Sequence, residues 1–220
     1  MGKRGHRSYS FDGEDLIIRS YFPEGVGGYI DVGSGSPIRG SNTYHFYKKG
    51  FSGICIDPLS LNHFAHKLIR PRDISLNNLC GNSKRSVKFY EFRPNEFSTS
   101  LHSFAKSLIR RGIPLINSYK LKTTPLSQIT SKHHVTEPMF LSIDVEGKDY
   151  EVLKSFDFTN SRPRVICIEE YKSTFSVQKS QIHRLLKTEK YTLVSRTKYS
   201  NIYCCNYYLK SSSALYHSYD

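Results

Sequence analysis

A chain of 220 residues suits one α/β domain and leaves no room for a second of similar size. Apolar residues at 38% and aromatics at 13% suffice for one sizeable core and exclude wholesale disorder. A formal charge of +13, from 32 Lys+Arg against 19 Asp+Glu, points to an acidic partner (RNA, a phosphorylated sugar, an anionic glycan or a membrane surface) or to a solvated basic surface.

No apolar run reaches the roughly 18 residues of a membrane-spanning helix. The segment Met1 to Arg7 is basic but no apolar stretch follows it, so no secretory signal is expected. Gly2 is not set for myristoylation, because His6 stands where that motif wants Ser or Thr. Residues 1–12 read as a basic N-terminal segment and 13–220 as a single domain.

In chain order, Gly13 to Phe22 has helical periodicity, with Leu16, Ile17, Ser20 and Tyr21 on one face. Gly28-Tyr-Ile-Asp-Val-Gly33 is a short apolar strand entering a tight turn. Ser41 to Lys49 reads as a helix with Ser41 as its N-cap. Gly53-Ile-Cys-Ile-Asp57 is a second buried strand, stopped by Pro58. Leu61 to Arg70 is helical, with Phe64, Leu68 and histidines sharing its surface. Two weaker strand patterns lie between Asp73 and Phe92, the second over Ser86 to Phe92. Arg93 to Asn117 is polar and carries no period that assigns it.

Thr124 to Ser131 suggests a short helix with Pro125 in its first turn. Met139 to Asp144 and Arg164 to Glu169 are further buried strands. Helices are expected over Lys148 to Ser155 and Gln178 to Thr188. Tyr191 to Val194 and Ile202 to Leu209 form a closing antiparallel pair. Continuously apolar strands alternating with helices indicate a mostly parallel twisted sheet with helices on both faces. Such sheets bind ligands beyond the carboxyl ends of their strands, and Asp31, Asp57, Asp144 and Glu169 each close a strand.

Cys55, Cys80, Cys167, Cys204 and Cys205 form no CxxC pair. Apolar runs such as GICID, RVICIEE and IYCCNYY mark them as buried free thiols in a reducing compartment, the cytoplasm, and not as a zinc site. His133-His134 has no carboxylate at ligand spacing, so no metal is expected.

Three motifs carry chemistry. Tyr29-Ile30-Asp31-Val32-Gly33-Ser34-Gly35-Ser36 ends a strand in an acid and turns through glycines, which admit a close ligand approach. It is not the dinucleotide GxGxxG, since Ile38 replaces the third glycine. An acid there suits a ligand that carries positive charge. Asp57, at the end of the next strand, is placed to accept hydrogen bonds from a ribose diol. Leu141 to Leu153 puts Asp144 and Glu146 at a strand end before a glycine turn, as candidates for general base or substrate orientation. Asp149 and Glu151 suit a helix N-terminus and read as structural.

In these pieces the chain resembles the FkbM family of methyltransferases. The resemblance rests on Gly13-Glu14-Asp15, Tyr29-Ile-Asp-Val-Gly33, Ser41-Asn42-Thr43-Tyr44 with Phe46-Tyr47, Gly50-Phe-Ser-Gly-Ile-Cys-Ile-Asp57-Pro58, Arg70-Pro-Arg-Asp73 and Ser142-Ile-Asp-Val-Glu-Gly147. It implies a Rossmann-like class I methyltransferase that uses S-adenosyl-L-methionine to methylate a hydroxyl of a small molecule or glycan. Asp31, Gly33, Ser34 and Gly35 would line the cofactor, with Asp57 on its ribose, Asn42 at its methionine end or capping the helix, and Asp73 near its adenine or in a salt bridge to Arg70 or Arg72. Glu14 would close the pocket or remain an exposed helical carboxylate. The base would be Asp144 or Glu146, with His45 behind them. The sequence departs from the family at Gly35-Ser36-Pro37, where the loop shape is open. Two rivals follow from charge and fold: an RNA methyltransferase, and a binding module without catalysis.

Overall fold

The computed structural model describes residues 7–22, 27–134, 138–170 and 174–209. The basic stretch Met1 to His6, with Gly2, lies outside them. The elements are α1 (Glu14–Ser20), β1 (Gly28–Val32), α2 (Tyr44–Lys48), β2 (Gly53–Ile56), α3 (Ser60–Ile69), β3 (Ile74–Leu76), β4 (Leu79–Cys80), β5 (Ser86–Phe92), α4 (His102–Arg110), β6 (Leu115–Thr124), α5 (Leu126–Lys132), β7 (Pro138–Ile143), α6 (Asp149–Lys154), β8 (Val165–Glu169), α7 (Gln181–Thr188), β9 (Tyr191–Arg196) and β10 (Ser200–Cys205).

Seven strands form one sheet in the order β3-β2-β1-β7-β8-β10-β9. The five strands from β3 to β8 are parallel, and β10 runs antiparallel to both of its neighbours. The chain builds outward from β1 to β3, then returns to lay β7 against β1's other edge. Strand order therefore reverses between β1 and β7, where such sheets open a crevice for ligands.

Strand alternation divides the core in two. Ile30, Val32, Ile54, Ile56, Leu141 and Ile143 pack under α5, α6 and α7 through Leu126, Val152, Leu153, Ile182 and Leu186. Tyr29, Cys55, Phe140 and Cys167 face the other way, against Ile18 of α1 and Phe46 of α2. Helices thus cover both faces, as the sequence pattern requires. All five cysteines are free and buried.

The unassigned stretch Arg93 to Asn117 holds α4 and the start of β6. Together with β4 and β5 it builds a second sheet, β4-β6-β5, inserted between β3 and α5. One face of the antiparallel β5–β6 pair packs Val87, Phe89 and Leu121 on Leu59 and Leu79, while α4, which lies between the two strands in the chain, covers Tyr90 and Phe92 with Ala105 and Leu108. Toward the C-terminus the boundaries differ from expectation: β9 runs on to Arg196 and β10 begins at Ser200. The helix expected from Gln178 starts at Gln181, because Ser180 Oγ accepts from His183 N at 2.9 Å and caps it there. β10 stops at Cys205, where Asn206 N turns to the Lys190 carbonyl and residues 206–209 become helical.

Residues 8–12 dock on the domain. Ser8 and Ser10 hydroxyls and Tyr9 N donate to the Asp15 carboxylate at 2.6, 2.8 and 2.8 Å, and Gly40 N donates to Tyr9 O.

Candidate active site

β2, β1 and β7 end side by side, which brings Asp57, Asp31 and Asp144 around one turn. Gly33 makes that turn at φ +77°, and a Cβ on it would lie 1.6 Å from the Asp144 carbonyl oxygen. Only glycine fits there. The loop amides are not left for a ligand, as the glycine pattern suggested. Gly33 N and Ser34 N both donate to Ile56 O, and Gly35 N donates to Asp57 Oδ2 at 2.9 Å. The Ser34 hydroxyl is buried with no hydrogen-bond partner among the described residues.

Asp31 lies one residue inside β1, so its side chain leaves the sheet on the Tyr29 face. Thr43 Oγ1 donates to Asp31 Oδ2 at 2.6 Å. Ser142 also bonds this carboxylate, and Asn42 Nδ2 donates to Ser142 Oγ at 3.1 Å. Asn42 is therefore tied to the floor beneath the acids, and the helix expected from Ser41 begins at Tyr44, with Thr43 and not Ser41 in the N-cap position, while Ser41 Oγ accepts from Tyr44 N in the preceding turn. Burial raises the Asp31 pKa, against the opposing pull of the Thr43 hydroxyl and Arg70.

Asp57 accepts Gly35 N on one oxygen and Leu59 N on the other, at 2.9 and 2.8 Å. Burial pushes its pKa up to about 6. Asn62 of α3 bonds the same carboxylate, and Asn95 of the inserted unit donates to Asn62 Oδ1 at 3.0 Å.

After β7 the chain turns through Glu146 at φ +54° and Gly147 at φ +98°. Asp149 holds this turn closed, accepting Val145 N at 2.9 Å and Gly147 N at 3.0 Å. Carboxylate oxygens of Asp144, Asp149 and Glu169 lie within 4.8 Å of one another. Burial raises Asp144, whose side chain is hydrogen-bonded to Glu169, and the charges of Asp31 and Glu14 push it further up. Burial, then the charge of Asp144, raises Asp149. Glu146 is half-buried, and its carbonyl accepts from Thr99 Oγ1 of the inserted unit at 2.8 Å. Glu14 is buried, not exposed, with Thr197 Oγ1 donating to it at 2.6 Å. Glu151 pairs with Lys148 at 2.7 Å, a structural contact as anticipated. His45 rests its ring edge-on against Phe46, 5.6 Å between centroids.

Asp73 is not brought to this centre. It precedes β3, level with Gly53 at the start of β2, which places it at the amino ends of the strands. There it accepts Arg70 Nε at 2.7 Å, Tyr29 OH at 2.7 Å and Gly53 N at 3.0 Å. The salt bridge to Arg70 that the sequence offered as its alternative role is the one formed, with both side chains fully buried. A cleft of about 280 Å³ lies instead beside the end of β3, lined by Leu76, Asn78, Gln128 and Ile129 with Lys84 and Lys132.

Sequence reasoning missed the buried frame of this centre. Arg70 donates to the hydroxyls of Thr43, Ser41 and Tyr29 and so links Asp73 to Asp31. Nothing local marks such a residue; only the fold brings Thr43 within reach.

Residues 26–193 match the family described as the methyltransferase FkbM domain. No curated protein and no solved structure matches the chain.

Proposed function

The chain belongs to the FkbM methyltransferase family, and on that premise we propose that it transfers the methyl group of S-adenosyl-L-methionine to a hydroxyl of a small molecule or glycan. The observation that carries this reading is the set of Asp31, Asp57 and Asp144 around Gly33 at the point where strand order reverses. The sheet supports a Rossmann-like class I assignment through that same reversal.

The residues present fit a cationic nucleotide. Asp144 and Asp149, both with raised proton affinity, lie with Glu169 within 4.8 Å of one another, beside Asp31, whose carboxylate feels the Arg70 charge through Thr43. The cofactor supplies an electrophilic methyl on a sulfonium. Asp57 would hold the ribose diol at the end of β2, where the hydrogen bonds from Gly35 N, Leu59 N and Asn62 fix its carboxylate and leave about one of its four acceptor sites. Asp31, Asn42 and Ser34 would orient the methionine end, with the unpartnered Ser34 hydroxyl available to it. The apolar and amide walls of the cleft at Leu76, Asn78, Gln128 and Ile129 suit the adenine.

An alcohol oxygen is a weak nucleophile while protonated, so it needs a base as well as alignment. Asp144 has the raised proton affinity that suits this role, and Glu146, on the turn that follows, would orient the acceptor. The inserted unit touches that turn through Thr99 and would form the acceptor side. Buried reduced thiols support a reducing compartment such as the cytoplasm.

Calorimetry with S-adenosyl-L-methionine, followed by mass spectrometry of candidate hydroxyl acceptors incubated with labelled cofactor, tests the reading. Binding lost on Asp57→Ala and a mass gain of one methyl support it. Cofactor binding unchanged by Asp31→Ala and Asp57→Ala would sink it.

A further inference from the structure

α3 is turned inside out. It buries Asn62 and His66 and exposes Leu61, Phe64 and Leu68 at 73%, 60% and 66%. Positions 61, 64 and 68 fall on one helical stripe, and Ile69 and Ile74, next in the chain, are also exposed, at 43% each. The inward polar pair has a reason: His66 Nε2 meets Gly35 O at 3.2 Å and Asn62 bonds Asp57, so α3 supports the glycine loop. That leaves the outward apolar stripe exposed among the described residues.

Along the chain, the charge flanking the stripe is one-sided. From residue 32 to residue 90 the sequence holds two carboxylates, Asp57 and Asp73, and both are buried. Lys48, Lys49, Lys67 and Arg72 are exposed over the same region. Arg72 Nη2 donates to Tyr47 O, which joins the end of α2 to the segment after α3. An exposed apolar helical stripe with cations before and after it in the chain is the chemistry of an interfacial membrane contact. A second copy of the chain would bring the same cations to the contact, and each copy carries +13.

We propose that the α3 stripe docks the protein on an anionic lipid bilayer, with Leu61, Phe64 and Leu68 entering the headgroup boundary and the flanking cations meeting the lipid charge. No helix among the described residues is long and apolar enough to cross a membrane, so the contact is peripheral. The inference does not depend on the methyl-transfer reading. It would place the opposite face of α3, and with it the glycine loop, close above the membrane plane.

Sedimentation of the full chain with phosphatidylcholine vesicles, with and without phosphatidylserine, tests the proposal. Binding to the anionic vesicles should exceed binding to neutral ones by about ten-fold or more and fall with salt. Replacing the stripe (Leu61→Ser with Phe64→Ser and Leu68→Ser) should lower vesicle binding by about ten-fold or more while retention on heparin stays unchanged. The exposed positions leave the core intact, which circular dichroism checks. Separately, Phe64→Trp should shift its emission to the blue with anionic vesicles. Absent sedimentation, equal binding to both vesicles, or a triple variant that binds like the parent overturns the proposal. Self-association in the ultracentrifuge abolished by the triple variant, with no vesicle binding, would assign the stripe to a second copy instead.

Discussion

Arg70 and Asp31 are joined through a single hydroxyl: Thr43 Oγ1 donates to Asp31 Oδ2 at 2.6 Å and accepts from Arg70 Nη2 at 2.9 Å. Thr43→Val breaks both contacts with little change of shape and should cost about 2 kcal/mol in urea unfolding. Arg70→Met leaves Asp73 a buried unpaired charge and should cost about 3–5 kcal/mol, partly restored by adding Asp73→Asn. If the double variant is no more stable than Arg70→Met, the ion pair is not the origin of the loss.

Two left-handed glycines should behave differently. Gly33→Ala meets the Asp144 carbonyl and should destabilise the chain by more than about 3 kcal/mol and abolish cofactor binding. Gly13 has φ +83° but nothing within 4 Å of the added Cβ. Gly13→Ala should cost only about 1–2 kcal/mol, the conformational penalty alone. Thermal melts of the two variants make the comparison.

Stability should fall as pH rises through the weakly acidic range. Asp57 has a folded pKa raised to about 6 from an ordinary 3.8, so the native state binds its proton more tightly than the unfolded chain. Its contribution is full below about pH 4 and is lost as pH rises through about 6, at up to roughly 1.4 kcal/mol per pH unit. Asp144 and Asp149 are raised in the same direction and add to the slope. Urea midpoints measured between these limits should decline, and Asp57→Asn should flatten the decline.

A base and an orienting group separate kinetically. Asp144→Asn should lower kcat by about a hundred- to ten-thousand-fold with cofactor affinity nearly kept. Glu146→Gln should act mainly on the acceptor KM. The reverse pattern in steady-state assays would exchange the two roles.

Much of the main sheet was legible because its strands are short apolar runs that end in acids, as in Tyr29 to Asp31 and Phe140 to Asp144. Periodicity and strand-end chemistry are local, and local signals survive in sequence. Of the inserted sheet, β5 was legible over Ser86 to Phe92 but β6 was not, because Lys120 and Lys122 alternate with Leu121 on a strand that is only half covered. Asp73 misled for a related reason. Its place after Arg70-Pro71-Arg72 shows that a strand is about to begin, and a residue that begins a parallel strand stands at the end away from the ligands. Asp149 was read as a helix-terminal charge, yet its main task is to clasp Val145 and Gly147, a contact that exists only once the turn has formed.

The five sequestered sulfhydryls make the molecule its own opening gauge. A thiol reagent cannot reach them in the closed state, and burial raises the thiol pKa of Cys80 and Cys167 and so favours their protonated form. Cys80 sits in the short β4 of the inserted unit and Cys167 in the interior strand β8. Labelling rates at these two sulfurs will therefore time the lifting of the insert and the breaking of the central sheet as separate events.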